Sequence, residues 1–465
     1  MASQIRDVSA KLSLYKSSES LGCRTSAGRS QTWANYPTSA KRRQIWATSE
    51  FRGALGLLAL GMLLLVTALG CGSGQGSSSN PADNPAASTG GNTNTIAAAS
   101  NNVQPVSVST GPNFVVTTVT VCVPNGGTCV DVPNVLVDTG SFGLRILASA
   151  VPGLALPQSN LAGGPLAECV QFIDNSLVWG SVVRADVKMA GEVAAAVPIQ
   201  LIGDPGLPNI PAGCGTAANA HDNATSLGAN GILGIGFFVH DCGQNCVLNA
   251  NLGQYFVCPT PANCAETTVT LADQVQNPVA VFAGADNNGT ILELPSVPAT
   301  GRASVNGSLV FGIGTQTNNG LGSATVLTVD ATGNFTTRYN GQSFPFSFID
   351  SGSNALYFLD STTTGFPACS NTGRFGPAVV NFYCPGGSQT LSATHVGANG
   401  ATSNFSFTVA NGETEFNTGS EALSNIAGPH LDNFDWGLPF FYGRNIYTAI
   451  QGASTPAGPG PYWAY

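Results

Sequence analysis

The chain has 465 residues, of which 43% are hydrophobic and only 9% are charged, and its formal net charge is −9. This length and apolar content allow two compact units with sizeable cores. Residues 1–52 hold nine basic and three acidic residues, so the other 413 residues carry seven basic and 22 acidic side chains, a net charge of −15. A surface with that charge repels nucleic acid, and we expect no nucleic-acid partner.

The first 102 residues have the features of a targeting region. The basic extension of residues 1–52 precedes an apolar segment that ends at Gly70 and Cys71, so we interpret residues 53–71 as a signal peptide. Its end, "TALGC", resembles a bacterial lipobox, in which the cysteine, here Cys71, is lipid-modified. A single transmembrane anchor is the alternative, although 17 apolar residues are short for one.

Two further expectations concern this region. Residues 1–40 are long for the charged part of a signal peptide, so the true start of translation is expected later in the sequence. Residues 72–102, rich in Gly, Ser and Asn, are typical of a disordered tether. Together these features predict an extracytoplasmic protein that a lipid anchor attaches to a membrane of the bacterial cell envelope, in the periplasm or at the outer membrane.

Cysteine usage fits an oxidising compartment. Apart from Cys23 and Cys71 there are ten cysteines, an even number that is typical of a disulfide framework. Spacing alone leaves their connectivity open, but it suggests pairing Cys122 with Cys129, Cys169 with Cys214, Cys242 with Cys246, Cys258 with Cys264, and Cys369 with Cys384. A zinc site around His240 is a weaker alternative, because the four histidines lack ligand spacing. We expect no metal and no cofactor.

Beyond residue 102, short runs of Val, Ile, Phe and Thr lie between clusters of Gly, Asn and Pro, which indicates an all-β protein. Two of these segments, "NVLVDTGSFGLRIL" (134–147) and "FSFIDSGSNALYFL" (346–359), place an aspartate between apolar runs. Each is typical of a strand, a tight turn at Gly140 or Gly352, and a second strand. The aspartates, Asp138 and Asp350, either close their own turns or face each other on equivalent loops of two related halves.

The paired loops resemble those of the pepsin-like aspartic peptidases, two-lobed all-β proteins in which each lobe contributes one Asp-Thr/Ser-Gly loop to a central cleft. Three other segments resemble the family in the same order: "GANGILGIGFF" (228–238), "NGSLVFGIGT" (306–315) and "WGLPFFYGRNIYTAI" (436–450). The resemblance implies an N-terminal lobe over residues 103–290, with the first loop and a flap, and a C-terminal lobe over residues 291–465. Within this superfamily the chain resembles a bacterial lipoprotein group.

Several positions depart from the family pattern. Pro439 stands where the family has Gly and Phe440 where it has Asp, which questions the packing beneath the second loop. Arg145 stands where Trp is usual, and it could neutralise a substrate carboxylate or the aspartates, or pair with a surface acid. The flap expected within residues 169–192 offers Phe172, with Trp179 as a second candidate, in place of the usual Tyr.

The resemblance implies an aspartic-type endopeptidase whose substrate is a peptide or protein bound in an extended conformation. Asp138 and Asp350 would share one proton and act together on a water molecule. Thr139 and Ser351 would link the two loops, while Ser141 and Ser353 would donate to the outer carboxylate oxygens. The alternatives are a catalytically idle pepsin-fold binding or cell-envelope lipoprotein, and a surface β-protein with unrelated loops. The oligomeric state is left open.

Overall fold

The computed structural model describes residues 101–370, 381–430 and 432–465. Strands dominate these residues, and the α-helices are about one turn long: α1 (Ala224–Leu227), α2 (Gln244–Leu248), α3 (Ser361–Thr364) and α4 (Gly412–Asn417). Nowhere in these three ranges is there a helix with the length and hydropathy to cross a membrane. The extension, the signal-like segment with Cys71 and almost all of the tether lie outside the described residues.

Eleven strands form the first half of the described chain. They are β1 (Val103–Val108), β2 (Val115–Cys122), β3 (Cys129–Asp138), β4 (Phe142–Leu147), β5 (Asn160–Leu161), β6 (Gly164–Gln171), β7 (Leu177–Met189), β8 (Glu192–Ile202), β9 (Gly231–Ile235), β10 (Tyr255–Thr260) and β11 (Asn263–Glu266). Short 3₁₀ turns lie between or after these strands, at Ala148–Ala150, Ala217–Asn219, Leu271–Asp273 and Pro278–Val281.

The second half continues with β12 (Gly289–Leu294), β13 (Val305–Phe311), β14 (Val326–Thr328), β15 (Phe335–Tyr339), β16 (Gln342–Ile349), β17 (Leu356–Phe358), β18 (Gln389–Val396), β19 (Thr402–Val409), β20 (Ala427–Gly428), β21 (Phe434–Trp436), β22 (Arg444–Ala449), β23 (Ser454–Thr455), β24 (Gly458–Pro459) and β25 (Tyr462–Ala464). A 3₁₀ turn at Leu438–Phe440 connects β21 to β22. The boundary expected between residues 290 and 291 falls inside β12.

One large sheet connects the two halves. It has 16 strands in the order β11-β10-β6-β7-β8-β4-β9-β3-β2-β1-β13-β12-β22-β25-β14, with β5 beside β6. The halves meet where β1 pairs antiparallel with β13, from Val103 opposite Val310 to Val108 opposite Val305. A second sheet of seven strands, β19-β18-β15-β16-β21-β17-β20, belongs to the second half alone. The fold is therefore the all-β, two-lobed, pepsin-like architecture that the sequence predicted.

The strands around the two aspartates repeat the same arrangement. In the first half β3 runs parallel to β9, and β4 returns antiparallel to β9, with Asp138 opposite Gly234. In the second half β16 runs parallel to β21, and β17 returns antiparallel to β21, with Ile349 opposite Trp436. This repeat makes the two Asp loops equivalent, because each connects an incoming strand to a returning strand across a shared central strand.

The main hydrophobic core lies beneath both loops and draws on both halves. It includes Val137 and Leu233 from the first repeat and Ile349 and Trp436 from the second, all almost completely buried. Strands β4 and β9 are buried along their whole lengths, as expected for strands with both faces covered. The aspartate loops therefore rest on a continuous apolar support.

Five disulfides strengthen the fold, and they confirm the pairs suggested by the spacing. The bonds join Cys122 to Cys129, Cys169 to Cys214, Cys242 to Cys246, Cys258 to Cys264, and Cys369 to Cys384. The zinc alternative near His240 is wrong, because Cys242 and Cys246 are bonded to each other and hold no free thiolate. In the described part of the chain, no group of three or more His, Cys, Asp or Glu residues is placed to hold a metal ion.

Candidate active site

Thr139 and Ser351 bind the two aspartate loops to each other. The backbone N–H of Thr139 donates to Oγ of Ser351 at 3.0 Å, and the N–H of Ser351 donates to Oγ1 of Thr139 at 2.9 Å. Each hydroxyl then donates to a carbonyl of the opposite lobe, Thr139 to Ile349 at 3.2 Å and Ser351 to Val137 at 2.7 Å. Both residues are buried, so these four bonds form away from water and hold the loops in one relative position.

Each aspartate also accepts two hydrogen bonds from its own loop. Asp138 accepts from the N–H of Gly140 at 2.8 Å and from the hydroxyl of Ser141 at 2.5 Å. Asp350 accepts from the N–H of Gly352 at 2.7 Å and from the hydroxyl of Ser353 at 2.8 Å. The two carboxyl groups are thus held in matching orientations by matching donors.

The two glycines allow the carboxyl groups to come together. A β-carbon on Gly140 would lie 2.6 Å from Cγ of Asp350, and one on Gly352 would lie 2.7 Å from Oδ1 of Asp138. Any larger residue would push the opposite carboxyl group away. The alternative in which each aspartate merely closes its own turn is insufficient, since each loop also contacts the aspartate of the other lobe.

The electrostatics of the pair favour a shared proton. Burial raises the pKa of Asp138 well above its usual value, and the nearby charge of Asp350 and a hydrogen bond between the two carboxyl groups raise it further. Its bonds from Ser141 and Gly140 act in the opposite direction and lower this pKa. Two carboxylates this close cannot both ionise readily, so the pair can hold one proton and one negative charge.

The expected flap is a β-hairpin formed by β6 and β7. Its turn closes with a hydrogen bond from the N–H of Phe172 to the carbonyl of Ser176 at 2.9 Å. Phe172 is partly buried against a small cluster that includes Val170 and Val178, and its role over the aspartates stays a prediction. Burial raises the pKa of Tyr357, and the charges of Asp435 and of Asp174 at the hairpin tip raise it further.

Trp179 does not act as a lid. Its side chain is 3% exposed, its ring packs edge-on against Phe256 at 5.3 Å, and its indole N–H donates to the carbonyl of Leu207 at 2.9 Å. The expectation for this residue is therefore corrected. Because alternate residues of a strand point to opposite faces, an aromatic residue in β7 could face either the core or the cleft, and this one faces the core.

The doubt raised by Pro439 is also resolved. Gly437, and not Pro439, directly follows β21. The pairing of β16 with β21 makes Gly437 equivalent to Gly234 in the first repeat. A β-carbon on Gly437 would lie 2.0 Å from the carbonyl oxygen of Ala355, just as one on Gly234 would lie 2.6 Å from the backbone nitrogen of Phe142. The close packing beneath the second loop is therefore retained, two residues earlier than the sequence comparison implied.

The same pairing of β21 shows that Asp435 lies close to the site. Sequence reasoning missed this residue. Its Oδ2 lies 2.7 Å from Oγ of Ser353, within hydrogen-bond distance, and only 3% of the residue is exposed. Burial raises the pKa of Asp435 well above its usual value, and the charges of Asp350 and Asp138 add to this effect. A lone Asp before Trp carries no motif, so only the pairing of β21 could reveal it.

Arg145 takes no part in neutralising the aspartate pair. Its guanidinium group binds Glu168 at 2.8 Å and Asp241 at 3.0 Å, and all three side chains are almost completely buried. Asp241 also accepts from the hydroxyl of Tyr255 at 2.7 Å. The expectations of a substrate contact or a surface ion pair are both wrong, because the arginine anchors β4 to β6 inside the first lobe.

Fold and site together define a two-lobed, pepsin-like all-β protein in which reciprocal hydrogen bonds bring two Asp-Thr/Ser-Gly loops face to face. Residues 92–465 match a family described as "Protein of unknown function (DUF3443)", and the chain belongs to that family. No curated protein sequence matches the chain significantly. Among solved structures, an aspartic proteinase from Irpex lacteus is similar at 17% identity and a TM-score of 0.41, over 78% of this chain and 96% of that one.

Proposed function

We propose that this protein is an aspartic-type endopeptidase that hydrolyses peptide bonds with a water molecule held between Asp138 and Asp350. The observation that carries the proposal is the exchange of hydrogen bonds between Thr139 and Ser351, which fixes two carboxyl groups within hydrogen-bond distance of each other. Such reciprocal support is what a site requires when two groups must act on one small molecule.

The chemistry needs only the two carboxyl groups and water. The ionised carboxylate takes a proton from the water as its oxygen attacks the scissile carbonyl carbon, while the protonated carboxyl group donates its proton to the carbonyl oxygen. The carboxyl group that took the water proton then protonates the nitrogen, the other carboxylate takes a proton from a hydroxyl of the tetrahedral diol, and the C–N bond breaks. The pair then regains one proton and one charge, and no covalent intermediate forms.

The substrate in this proposal is a peptide or protein in an extended conformation. A strand-like substrate can exchange backbone hydrogen bonds with a hairpin lying over the pair, as in other cases of peptide binding by strand addition. The turn of Phe172–Ser176 is the segment proposed for this contact.

We place the enzyme outside the cytoplasm, attached to the cell envelope through a lipid on Cys71. Five disulfides in the described residues support an oxidising compartment. The lipobox-like end of the apolar segment supports the anchor.

A peptide-binding module without hydrolytic activity is the second candidate. It is favoured by the hairpin, because Phe172 has no hydroxyl group and Trp179 is committed to the core. A statine-type transition-state mimic separates the two candidates: an enzyme binds it much more tightly than a peptide of the same length, whereas an idle cleft does not.

The direct test is the cleavage of a denatured protein substrate at acidic to neutral pH by the mature protein and by Asp138→Asn and Asp350→Asn. Each change should lower kcat by at least about a thousandfold while leaving the fold intact by circular dichroism. Asp131→Asn, which removes an exposed carboxylate from β3, is the matched control. Activity that survives both dyad substitutions would end the proposal.

A further inference from the structure

The two lobes differ at one position beside the aspartates. In the second repeat Asp435 lies opposite Phe348 and Tyr357, and in the first repeat Ile232 lies opposite Leu136 and Arg145. Asp435 and Ile232 are therefore equivalent positions of the two central strands. The first lobe fills this position with an apolar side chain, while the second buries a carboxyl group there.

Ser353 connects this carboxyl group to the candidate site. Its hydroxyl oxygen lies 2.8 Å from Oδ2 of Asp350 and 2.7 Å from Oδ2 of Asp435. A serine hydroxyl has one hydrogen and can donate it to only one of these oxygens. The second short contact needs another hydrogen, and only a protonated carboxyl group can supply it. One of the two aspartates must therefore donate to Ser353.

The surroundings identify Asp435 as the donor. Its Oδ1 is buried and has no hydrogen-bond partner among the described residues, whereas Oδ1 of Asp350 accepts from the N–H of Gly352 at 2.7 Å. Among the described residues no ion pair involves Asp435. An ionised carboxylate with one unbonded oxygen in such a place is costly, and a neutral acid is much less so.

We propose that Asp435 is a positioning residue that stays protonated and, through Ser353, directs a hydrogen bond onto Oδ2 of Asp350. The order is Asp435 Oδ2–H to Ser353 Oγ, and Ser353 Oγ–H to Asp350 Oδ2. This inference rests on the proposed peptidase function, since the hydrogen bond from Ser353 ends on Asp350, a member of the proposed catalytic pair. In the first lobe Ser141 has no such neighbour, because Ile232 cannot donate.

Asp435 also makes the pair sensitive to pH. The titratable groups that face it are Asp350 and Asp138 from the two loops and Tyr357, which lies opposite Asp435 on β17. When Asp435 loses its proton, Ser353 donates to the new carboxylate instead of to Asp350. The site then gains a second negative charge, and hydrolysis stops on the alkaline side.

The test compares the wild type with Asp435→Asn, Asp435→Ile and the surface control Asp131→Asn. The amide of Asn can donate to Ser353 but cannot ionise, so the alkaline limb of kcat should move to higher pH. Ile, the residue of the first lobe, cannot donate, and it should lower kcat about tenfold with KM changed less than about twofold, the loss expected for one hydrogen bond. Asp131→Asn should keep the wild-type profile.

The direction of the shift decides the outcome. If Asp435 were ionised in the working enzyme, Asp435→Asn would remove a nearby negative charge and the alkaline limb would move to lower pH. That result, or a limb that does not move, would overturn the proposal. A kcat of Asp435→Asn as low as that of Asp435→Ile would also overturn it, because the donor would then have no role.

A second measurement does not require activity. In the Asp138→Asn background, in which the pair keeps only one carboxyl group, the infrared difference between the proteins without and with the further change Asp435→Asn should contain the carbonyl band of a protonated carboxylic acid at neutral pH. Without that band the inference fails even if the protein is a peptidase. With the band but without cleavage of any substrate, the proton on Asp435 is established and the peptidase proposal alone fails.

Discussion

The hydroxyl oxygens of Thr139 and Ser351 each accept a hydrogen bond from the backbone N–H of the other residue, at 2.9 and 3.0 Å. Thr139→Val or Ser351→Ala leaves a buried N–H without its acceptor, and each should cost about 1–3 kcal/mol of the free energy of unfolding. The double variant should cost less than the sum, because both changes break the same link. Urea unfolding measures all three values.

The conservative variants Thr139→Ser and Ser351→Thr keep both hydroxyl groups and serve as controls. They should retain most of the stability and most of kcat, whereas the variants without a hydroxyl should lose kcat more than KM because the carboxyl groups are misplaced. Additive losses of stability in the double variant would mean that the two hydroxyls act independently.

Arg145 should be far more important for stability than Arg184, the other arginine with an ion pair in the described part of the chain. Arg145→Met leaves Glu168 and Asp241 buried without a cation and should cost about 3–5 kcal/mol in the free energy of unfolding. Arg184→Met is the matched control: its pair with Asp273 has a similar distance, 2.9 Å, but the two side chains are 35% and 29% exposed, and the change should cost about 1 kcal/mol or less. Equal losses would show that burial of the first pair is unimportant.

The strands and loops that carry Asp138 and Asp350 could be predicted from the sequence, because each motif lies between apolar runs and depends only on local pattern. The disulfides could be predicted because four of the five join cysteines within 15 residues of each other, which limits the possible partners. Local order along the chain was enough for these features.

The remaining features depend on which strands meet. The side of β7 that carries Trp179 is decided by packing against Phe256, which belongs to a distant strand. The role of Gly437 and the position of Asp435 depend on the register of β21, and a shift of two residues cannot be detected from composition or spacing. Arg145 likewise finds its acids only once β4, β6 and the segment after β9 are assembled.

The raised pKa of Asp138 predicts how one substitution changes stability with pH. The folded state holds the proton of this group more tightly than the unfolded chain, so its favourable contribution is complete below about pH 4 and is lost as pH rises through the folded pKa. Asp138→Asn cannot titrate, so it removes this loss of stability. It should therefore stabilise the protein at neutral pH by about 1.4 kcal/mol for each unit by which the pKa was raised, and have little effect near pH 3.

Thermal unfolding of the wild type, Asp138→Asn and the exposed-site control Asp131→Asn, measured at neutral and acidic pH, checks this prediction. The control should show no gain at neutral pH. A loss of stability for Asp138→Asn at neutral pH would mean that this carboxyl group is ionised and favourably bonded in the folded state.

The proposed lipid anchor can be tested with the two cysteines that the disulfides leave over, Cys71 and Cys23. When the full chain is expressed in a bacterium with a labelled fatty acid, Cys71→Ser should abolish labelling and Cys23→Ser should not, because only Cys71 follows the apolar segment. The mature protein should partition into detergent only when labelled. Label that persists in Cys71→Ser would exclude this site, and an unlabelled, uncleaved wild type would favour the transmembrane anchor.

His395 should limit stability on the acidic side, where an aspartic peptidase would work. Its ring is fully buried among Trp436, Phe405 and Phe440, and its Nδ1 lies 2.6 Å from the hydroxyl of Tyr465. Burial lowers its pKa well below the usual value, and the charge of Arg444 lowers it further. The unfolded chain therefore takes up a proton that the folded protein resists.

Stability should accordingly fall as pH drops below about 6.5, by up to about 1.4 kcal/mol per pH unit for this one proton, until the folded pKa is reached. His395→Gln can still bond to Tyr465 but cannot titrate, so the slope of unfolding free energy against pH between about pH 6.5 and 4.5 should become smaller by that amount. Tyr465→Phe removes the hydrogen bond but leaves the histidine titratable, and it should lower stability while keeping the wild-type slope. If His395→Gln and the wild type have the same slope, the acid sensitivity has its origin elsewhere in the fold.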